Sequence, residues 1–422
     1  MSVGWGLRGF IGGGSLGAMI PGAIVALVLC RLLGIPDTVC GRIAAFGAIG
    51  IGFGGQETYG QTVRFVTGQG TFWWGIAGLS LKGAVWGLVG GAVLGLGLVA
   101  RRVGRVDVWV ALALMVVGTW LGWRLIDHPR LLYFSNPLDA PRPEIWAGLL
   151  SGGLGLLGWI SIRLGPLARV PVGLAVAGAL GGGFGFGAGA ASLAAGLAMG
   201  FEPRWFPGWK QMEFTFGFCF GAALGLGAYL LRSRIAESVA RDKTPASEKK
   251  NLWWPLVSAV FAGAVVLGSA QLRVRFGFTL AGAVLLALAF VSVRAAWQIA
   301  LTLTVGAFAI DVGEFFVTHQ QPGHALLVKT AALVLAVGLS ISIAVRERQG
   351  REMASWSLMV LLWTAIGAAV FRAASHTEFT PALVIVVVAF VGGGALTTAL
   401  LRQRRDSSTR PKNASQESGD AV

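Results

Sequence analysis

From Phe72 to Ala100 the chain reads FWWGIAGLSLKGAVWGLVGGAVLGLGLVA, with a single ionisable side chain, Lys82. A helix rises about 1.5 Å per residue, and about 20 apolar residues cross a ~30 Å hydrocarbon core. In lipid, such a segment must satisfy its backbone hydrogen bonds internally, so it is read as a transmembrane helix. Its glycines Gly83, Gly87, Gly91 and Gly95 fall four apart, as do Gly9/Gly13/Gly17 and Gly217/Gly221/Gly225. Ridges of this kind let helix backbones approach closely where the hydrophobic effect no longer drives helices together. They also offer faces for oligomerisation.

The same character holds along the chain. Of 422 residues, 55% are hydrophobic and 13% charged, with a mean hydropathy of +0.71. Soluble domains carry about 25% charged residues. The 64 glycines are about twice the average share. The net charge of +15 sits in short connections and at the C-terminus, as the positive-inside bias requires, and not on a basic face interleaved with aromatics. Nucleic acid is therefore not an expected partner; the lipid bilayer is. The three cysteines, Cys30, Cys40 and Cys219, occupy a cytosolic connection's flanks and a span, positions where a disulfide is not expected. No basic n-region with a small-residue cleavage site precedes the first span, which is read as a permanent helix.

Apolar runs and polar breaks predict an all-α polytopic integral membrane protein with about thirteen transmembrane helices. The ranges are 10–32, 42–56, 72–100, 106–125, 145–162, 170–199, 212–231, 252–271, 276–293, 295–317, 325–345, 356–373 and 381–401. The second is short and the sixth long, and either has room for a re-entrant or broken helix. Basic residues cluster at Arg101/Arg102/Arg105, in 232–251, at Arg346/Arg348/Arg351 and after Arg402. With thirteen spans these share one side, placing the C-terminus in the cytosol and the N-terminus outside the cell membrane. Four regions follow: a glycine-rich membrane region over 1–231, a basic cytosolic connection over 232–251, a second membrane region over 252–401, and a polar, disordered tail over 402–422.

An internal match organises the first region. Residues 46–54 align with 177–185, with Gly47 on Gly178; Gly87, Gly91 and Gly95 fall on Gly217, Gly221 and Gly225. The offsets are 131 and 130. The first and fifth spans match more weakly, through Gly17/Gly148 and Gly22/Gly153. The expectation is a parallel repeat of three-helix units about 130 residues long. Lys82, Ala84, Leu88 and Gly91 fall on Lys329, Ala331, Leu335 and Gly338, which suggests a degenerate third copy.

Ionisable groups within a membrane are expensive and tend to face cavities or each other. Glu57 follows the glycine run and Lys82 lies at its depth on the next span. Asp311 and Glu314 end span ten where Lys329 begins span eleven; in the second copy Glu213 stands beside Lys210. Tyr59 and Gln61 lie in the polar, glycine-dotted segment 56–71, which either lines a water-filled cavity or is an external loop. These eight residues, Glu57, Tyr59, Gln61, Lys82, Glu213, Asp311, Glu314 and Lys329, form the expected solute or ion pathway. The competing reading is a set of structural ion pairs. His128, His319, His324 and His376 fall in external connections, but no two have a recognised metal-ligand spacing. Whether they bind a metal stays open, and no cofactor is expected. Gly13–Gly17 fits G-x-S-x-G, yet lies in an apolar helix without the strand-to-helix turn that motif needs. The glycine run 181–185 lacks the lysine and Ser/Thr of a phosphate loop.

The leading functional expectation is a transporter or permease for a small solute or ion. The alternatives are a non-catalytic membrane scaffold or assembly subunit, and a membrane-embedded enzyme on lipid-linked substrates. In that last case Arg64, Arg130 and Arg142 on the outer face are available to hold phosphate.

Overall fold

The computed structural model describes residues 1–8, 13–68, 70–135, 141–200, 208–240, 253–268, 277–318, 322–374 and 380–409; at 267, 309–318, 322–329, 331–333, 336, 372, 374 and 404–409 only the backbone is described. Among these residues the chain is all-helical, with no strand. The N-terminal half comprises α1 (Ser2–Arg8), α2 (Gly14–Leu32), α3 (Asp37–Gly54), α4 (Gly60–Thr67), α5 (Phe72–Val99), α6 (Arg105–Gly122), α7 (Trp146–Leu164), α8 (Arg169–Ala198), α9 (Gly208–Leu230) and α10 (Arg232–Ala240). The remainder comprises α11 (Trp253–Leu267), α12 (Gly277–Val291), α13 (Val293–Thr318), α14 (Pro322–Arg348), α15 (Ala354–Ala374) and α16 (Pro381–Thr409).

A helix occupies each of the thirteen apolar ranges. Among the described residues, seven helical stretches are long and apolar enough to cross a membrane: Gly14–Leu32, Phe72–Arg102, Arg105–Asp127, Trp146–Ala198, Gly208–Leu230, Ala354–Phe371 and Pro381–Gln403. The outward faces of α6, α8, α9 and α16 expose Trp109, Trp120, Leu180, Phe184, Phe218, Leu226, Val388 and Leu396, a surface suited to lipid. Neither α3 nor α8 is broken: α8 runs for 30 residues, about 45 Å. The 56–71 segment holds the eight-residue α4, about 12 Å long and too short to span. Its buried face (Gln61, Thr62, Val63 and Val66) lies on α5. α16 continues through Thr409, past the boundary drawn at 401; 410–422 and 241–252 lie outside the described residues.

Helices α3, α5, α8 and α9 stand side by side in alternating direction. The tightest seam is α5 against α8, where the glycine ridge is used. A Cβ added at Gly87 would lie 1.8 Å from the Gly178 carbonyl oxygen, and one at Gly178 would lie 2.1 Å from that of Gly87. Gly83 and Gly182 oppose each other in the same way, each 2.3 Å from the other's oxygen, and a Cβ at Gly91 would stand 2.0 Å from that of Leu174. Only glycine fits such backbone contact.

The flanking seams share a register. In α3–α5, a Cβ on Gly50 would meet Val93 and one on Gly54 would meet Trp86. In α8–α9, Gly181 would meet Ala223 and Gly185 would meet Cys219 and Phe216. Gly50 and Gly54 are 131 residues from Gly181 and Gly185; Val93 and Trp86 are 130 from Ala223 and Phe216. Of the two units expected from the sequence match, the first helices pair differently. α2 packs on α3, with Gly22 against the Gly47 oxygen, whereas α7 packs on α6 through Gly122 and Ala147 and through Gly148 and Thr119.

The C-terminal helices pack on this row. α12 and α13 cover α3, where Phe278 faces Gly52 and Trp297 faces Gly41, and α15 lies on α2. The Asp37 carboxylate accepts from the Met353 and Ala354 amides, an acid at the N-terminus of α15, where the helix dipole favours it. Arg31 pairs with Glu352 alongside, at 2.8 Å.

The seam predicts opposite outcomes for two Gly→Ala changes. Gly87→Ala forces backbone apart and should cost at least ~1–3 kcal/mol. Gly225→Ala, with nothing within 4 Å of its Cβ, should be neutral or stabilise by up to about 1 kcal/mol. Thermal unfolding of the two variants in detergent reads both.

Candidate functional site

Lys82 sits on α5 one residue before the glycine seam, where its side chain is shut away from solvent. Burying an ammonium costs several kcal/mol unless charge and hydrogen bonds replace water. Four oxygens do so. The Lys82 Nζ donates to Glu144 Oε1 at 2.7 Å, to the Thr58 carbonyl at 2.7 Å and to Thr62 Oγ1 at 2.9 Å, and Glu57 Oε1 lies 3.0 Å away. Each carboxylate is held from behind. Glu57 Oε2 accepts from the Ile145 amide at 2.7 Å. Glu144 accepts from the Phe134 amide and from Ser135 Oγ at 3.0 Å. With all three groups ionised the cluster carries one net negative charge.

The elements explain the convergence. Gly55, after α3, lets the first turn of α2 come close: its Cβ would fall 2.5 Å from the Gly14 oxygen. The chain then turns through Glu57 and Thr58 into α4, whose Thr62 faces α5. The segment immediately before α7 delivers Glu144. At the end of α6 a five-residue π-turn, Trp123–Asp127, directs Asp127 onto the Ala147 and Gly148 amides at 3.2 and 2.9 Å. This satisfies orphan donors in the first turn of α7.

A second polar group stands beside the first. The Arg8 guanidinium, 3% exposed, lies over the rings of Trp86, Trp5 and Tyr59, 5.1, 5.5 and 5.5 Å from their centroids. Its Nη1 donates to the Tyr59 hydroxyl at 2.8 Å. Lys210 and Glu213, one turn apart on α9, pair at 2.6 Å, and Lys210 also donates to the Gly6 carbonyl. Between the two groups opens a cavity of about 390 Å³ lined by Arg8, Gly13, Gly14, Gly55, Glu57, Thr58, Tyr59, Gly60, Arg142 and Trp209.

Of the residues expected in the pathway, the structure brings Glu57 and Lys82 into contact and places Tyr59 beside them on the cavity wall. Glu213 pairs within its own helix. Gln61 is buried on α4, with no hydrogen-bond partner for its Oε1 among the described residues. Asp311 and Glu314 lie on α13 and Lys329 on α14, with side chains outside the described residues. His128 meets Trp123 edge to face, with ring centroids 4.9 Å apart; His319 and His376 lie outside the described residues, as does the side chain of His324. Among the described residues no three His, Cys, Asp or Glu side chains gather as a metal site. Glu144 and Arg8 were not anticipated. Glu144 sits among Pro141, Arg142 and Pro143, which reads as an external linker, and its one signal is its place immediately before an apolar helix. Arg8 precedes the first apolar run and reads as a flanking charge.

Comparison with protein-family models, with curated proteins and with solved structures finds no match to this chain.

Because Lys82 serves two carboxylates, Lys82→Met should destabilise by roughly 3–5 kcal/mol, the penalty of stranding buried charge. Adding Glu57→Gln and Glu144→Gln should recover part of the loss. The exchange Glu57→Lys with Lys82→Glu should fail to rescue, since it sets a new carboxylate against Glu144. Thermal midpoints of the purified variants decide the order.

Proposed function

We propose that this protein is a multi-pass membrane transporter or permease for a small solute or ion. In this reading thirteen helices cross the cell membrane, the C-terminus is cytosolic and the N-terminus external. One observation carries it: a cavity at the level of the helix ends has Glu57 in its wall, and Glu57 is backed by a buried ammonium shared with a second carboxylate. Ionisable groups buried in an apolar helical protein are expensive, and where they face a cavity they are candidates for a solute or proton route. Uptake of one proton by either carboxylate would bring the Lys82 cluster to neutrality, which gives the site a means of coupling. The shared register of α3–α5 and α8–α9 supports a two-copy arrangement of helix pairs, with α2 and α7 departing from it. Internal repeats of this kind are common in transporters.

A specific observation favours the scaffold reading as well. Lys82 is met by four oxygens, so the cluster serves equally as a clamp that fixes Glu57 and Thr58 after α3, and Glu144 before α7, onto α5. The two readings differ in what neutralising Glu57 does.

Purified protein in oriented proteoliposomes should give solute-dependent currents on a solid-supported membrane, screened across ions and small metabolites with and without a pH step. Glu57→Gln, checked for monodispersity, should abolish them. Absence of both current and tracer flux from folded wild type would leave the clamp reading.

A further inference from the structure

We infer that the cavity bounded by Arg8 and Arg142 is a binding site for a phosphate group, either free or carried on a lipid headgroup. Arg8 is buried, yet among the described residues no carboxylate lies within 4.0 Å of it, and its Nε has no acceptor. Its close partners are the π-faces of Trp5, Tyr59 and Trp86, which hold the guanidinium plane in place; the Glu213 carboxylate acts on it only from further off and is already paired with Lys210, which leaves the three groups one net positive charge. One N–H is spent on the Tyr59 hydroxyl. The Nη2 end lies on the cavity side, 3.9 Å from where a Cβ on Gly13 would stand. A buried guanidinium held this way is poorly compensated by protein alone, and an anion supplies what is missing.

The rest of the lining agrees. Arg142 is exposed on the same wall, its Nη1 beside Gly60. The first turn of the 19-residue α2 abuts the cavity at Gly13 and Gly14, with no side chain capping its amides. Three sets of donors thus approach from different segments, which suits the tetrahedral oxygens of phosphate better than a planar carboxylate. Glu57 also lines the cavity, but its oxygens are turned to Lys82 and to the Ile145 amide. A volume of about 390 Å³ falls at the lower end for small-molecule sites, room for a phosphate and a few further atoms.

The inference stands whether or not anything is carried across the membrane, so its test measures binding and not flux. Full-length protein in nanodiscs made only of zwitterionic lipid would be titrated with inorganic phosphate by calorimetry. In parallel, protein in nanodiscs containing phosphatidic acid would be delipidated by mild detergent exchange, and retained lipid identified by mass spectrometry. Saturable phosphate binding that weakens at least tenfold in Arg8→Gln and in Arg142→Gln, but not in the exposed Arg124→Gln, supports a free-phosphate site. Retention of phosphatidic acid that the same two changes abolish supports the headgroup source. Arg142 is at the surface, so its variant keeps the test valid if Arg8→Gln fails to fold. Wild type that binds neither probe, or an Arg142→Gln that binds like wild type, would overturn the inference. Tighter binding of acetate than of phosphate would overturn the assignment to phosphate.

Discussion

The contact between α5 and α8 is backbone on backbone. Where Gly83, Gly87 and Gly91 meet Gly182, Gly178 and the Leu174 carbonyl, no side chain separates the two helices, so their axes have little freedom in distance or rotation. In an apolar medium such packing, summed over many small dispersion contacts, replaces the hydrophobic effect. The bundle extends from this seam to α3 and α2 and to α9, and α1 packs against both α9 and α2. Lys82 and Trp86 take their positions from the seam. The residue before Gly83 is Lys82, so the angle at which the lysine leaves the seam is fixed by the glycine contact. Trp86, one turn on, donates its indole N–H to the Ile51 carbonyl at 2.8 Å and forms a wall of the Arg8 cage.

The polar chemistry occupies one end of this bundle. The lysine gathers acceptors from the contiguous α3–α4 turn and α4 and from the segment before α7, two stretches that are distant in sequence. At the other end, Asp37 receives the amides of α15 and Arg31 meets Glu352, joining the glycine-rich half to the C-terminal helices. The first end is built around buried charge and a cavity, the second around half-exposed pairs at helix ends.

Much of the architecture was legible because it rests on local rules. Absence of charge over lengths near 20 residues announces long apolar helices, and the helices lie where those runs do. Glycines four apart announced close packing, though the partner of the Gly83–Gly95 ridge could not be read, since a ridge does not say which of several glycine-rich helices it meets. Of the ridge Gly217/Gly221/Gly225, two members pack on the N-terminal segment and Gly225 touches nothing; spacing alone did not separate them. Glu57 and Lys82 stood out because charge is scarce. Glu144 did not, because in a proline-flanked linker an acid is unremarkable until the loop folds back over α5. Arg8 was hidden for the same reason. A charge outside an apolar run looks solvated, and only tertiary contact with Trp5, Tyr59 and Trp86 makes it a buried one.

The π-turn at Trp123–Asp127 carries a consequence for how this sequence can change over time. A π-turn holds one residue more than the α-helical turn it replaces. Removing any one of the five would restore α-geometry and swing Asp127 by about 100°, away from the Ala147 and Gly148 amides it now satisfies. Individual side chains in the turn are free to drift, but its length is not. Descendants of this chain should therefore keep the spacing from α6 to Asp127 even where they keep little of its composition.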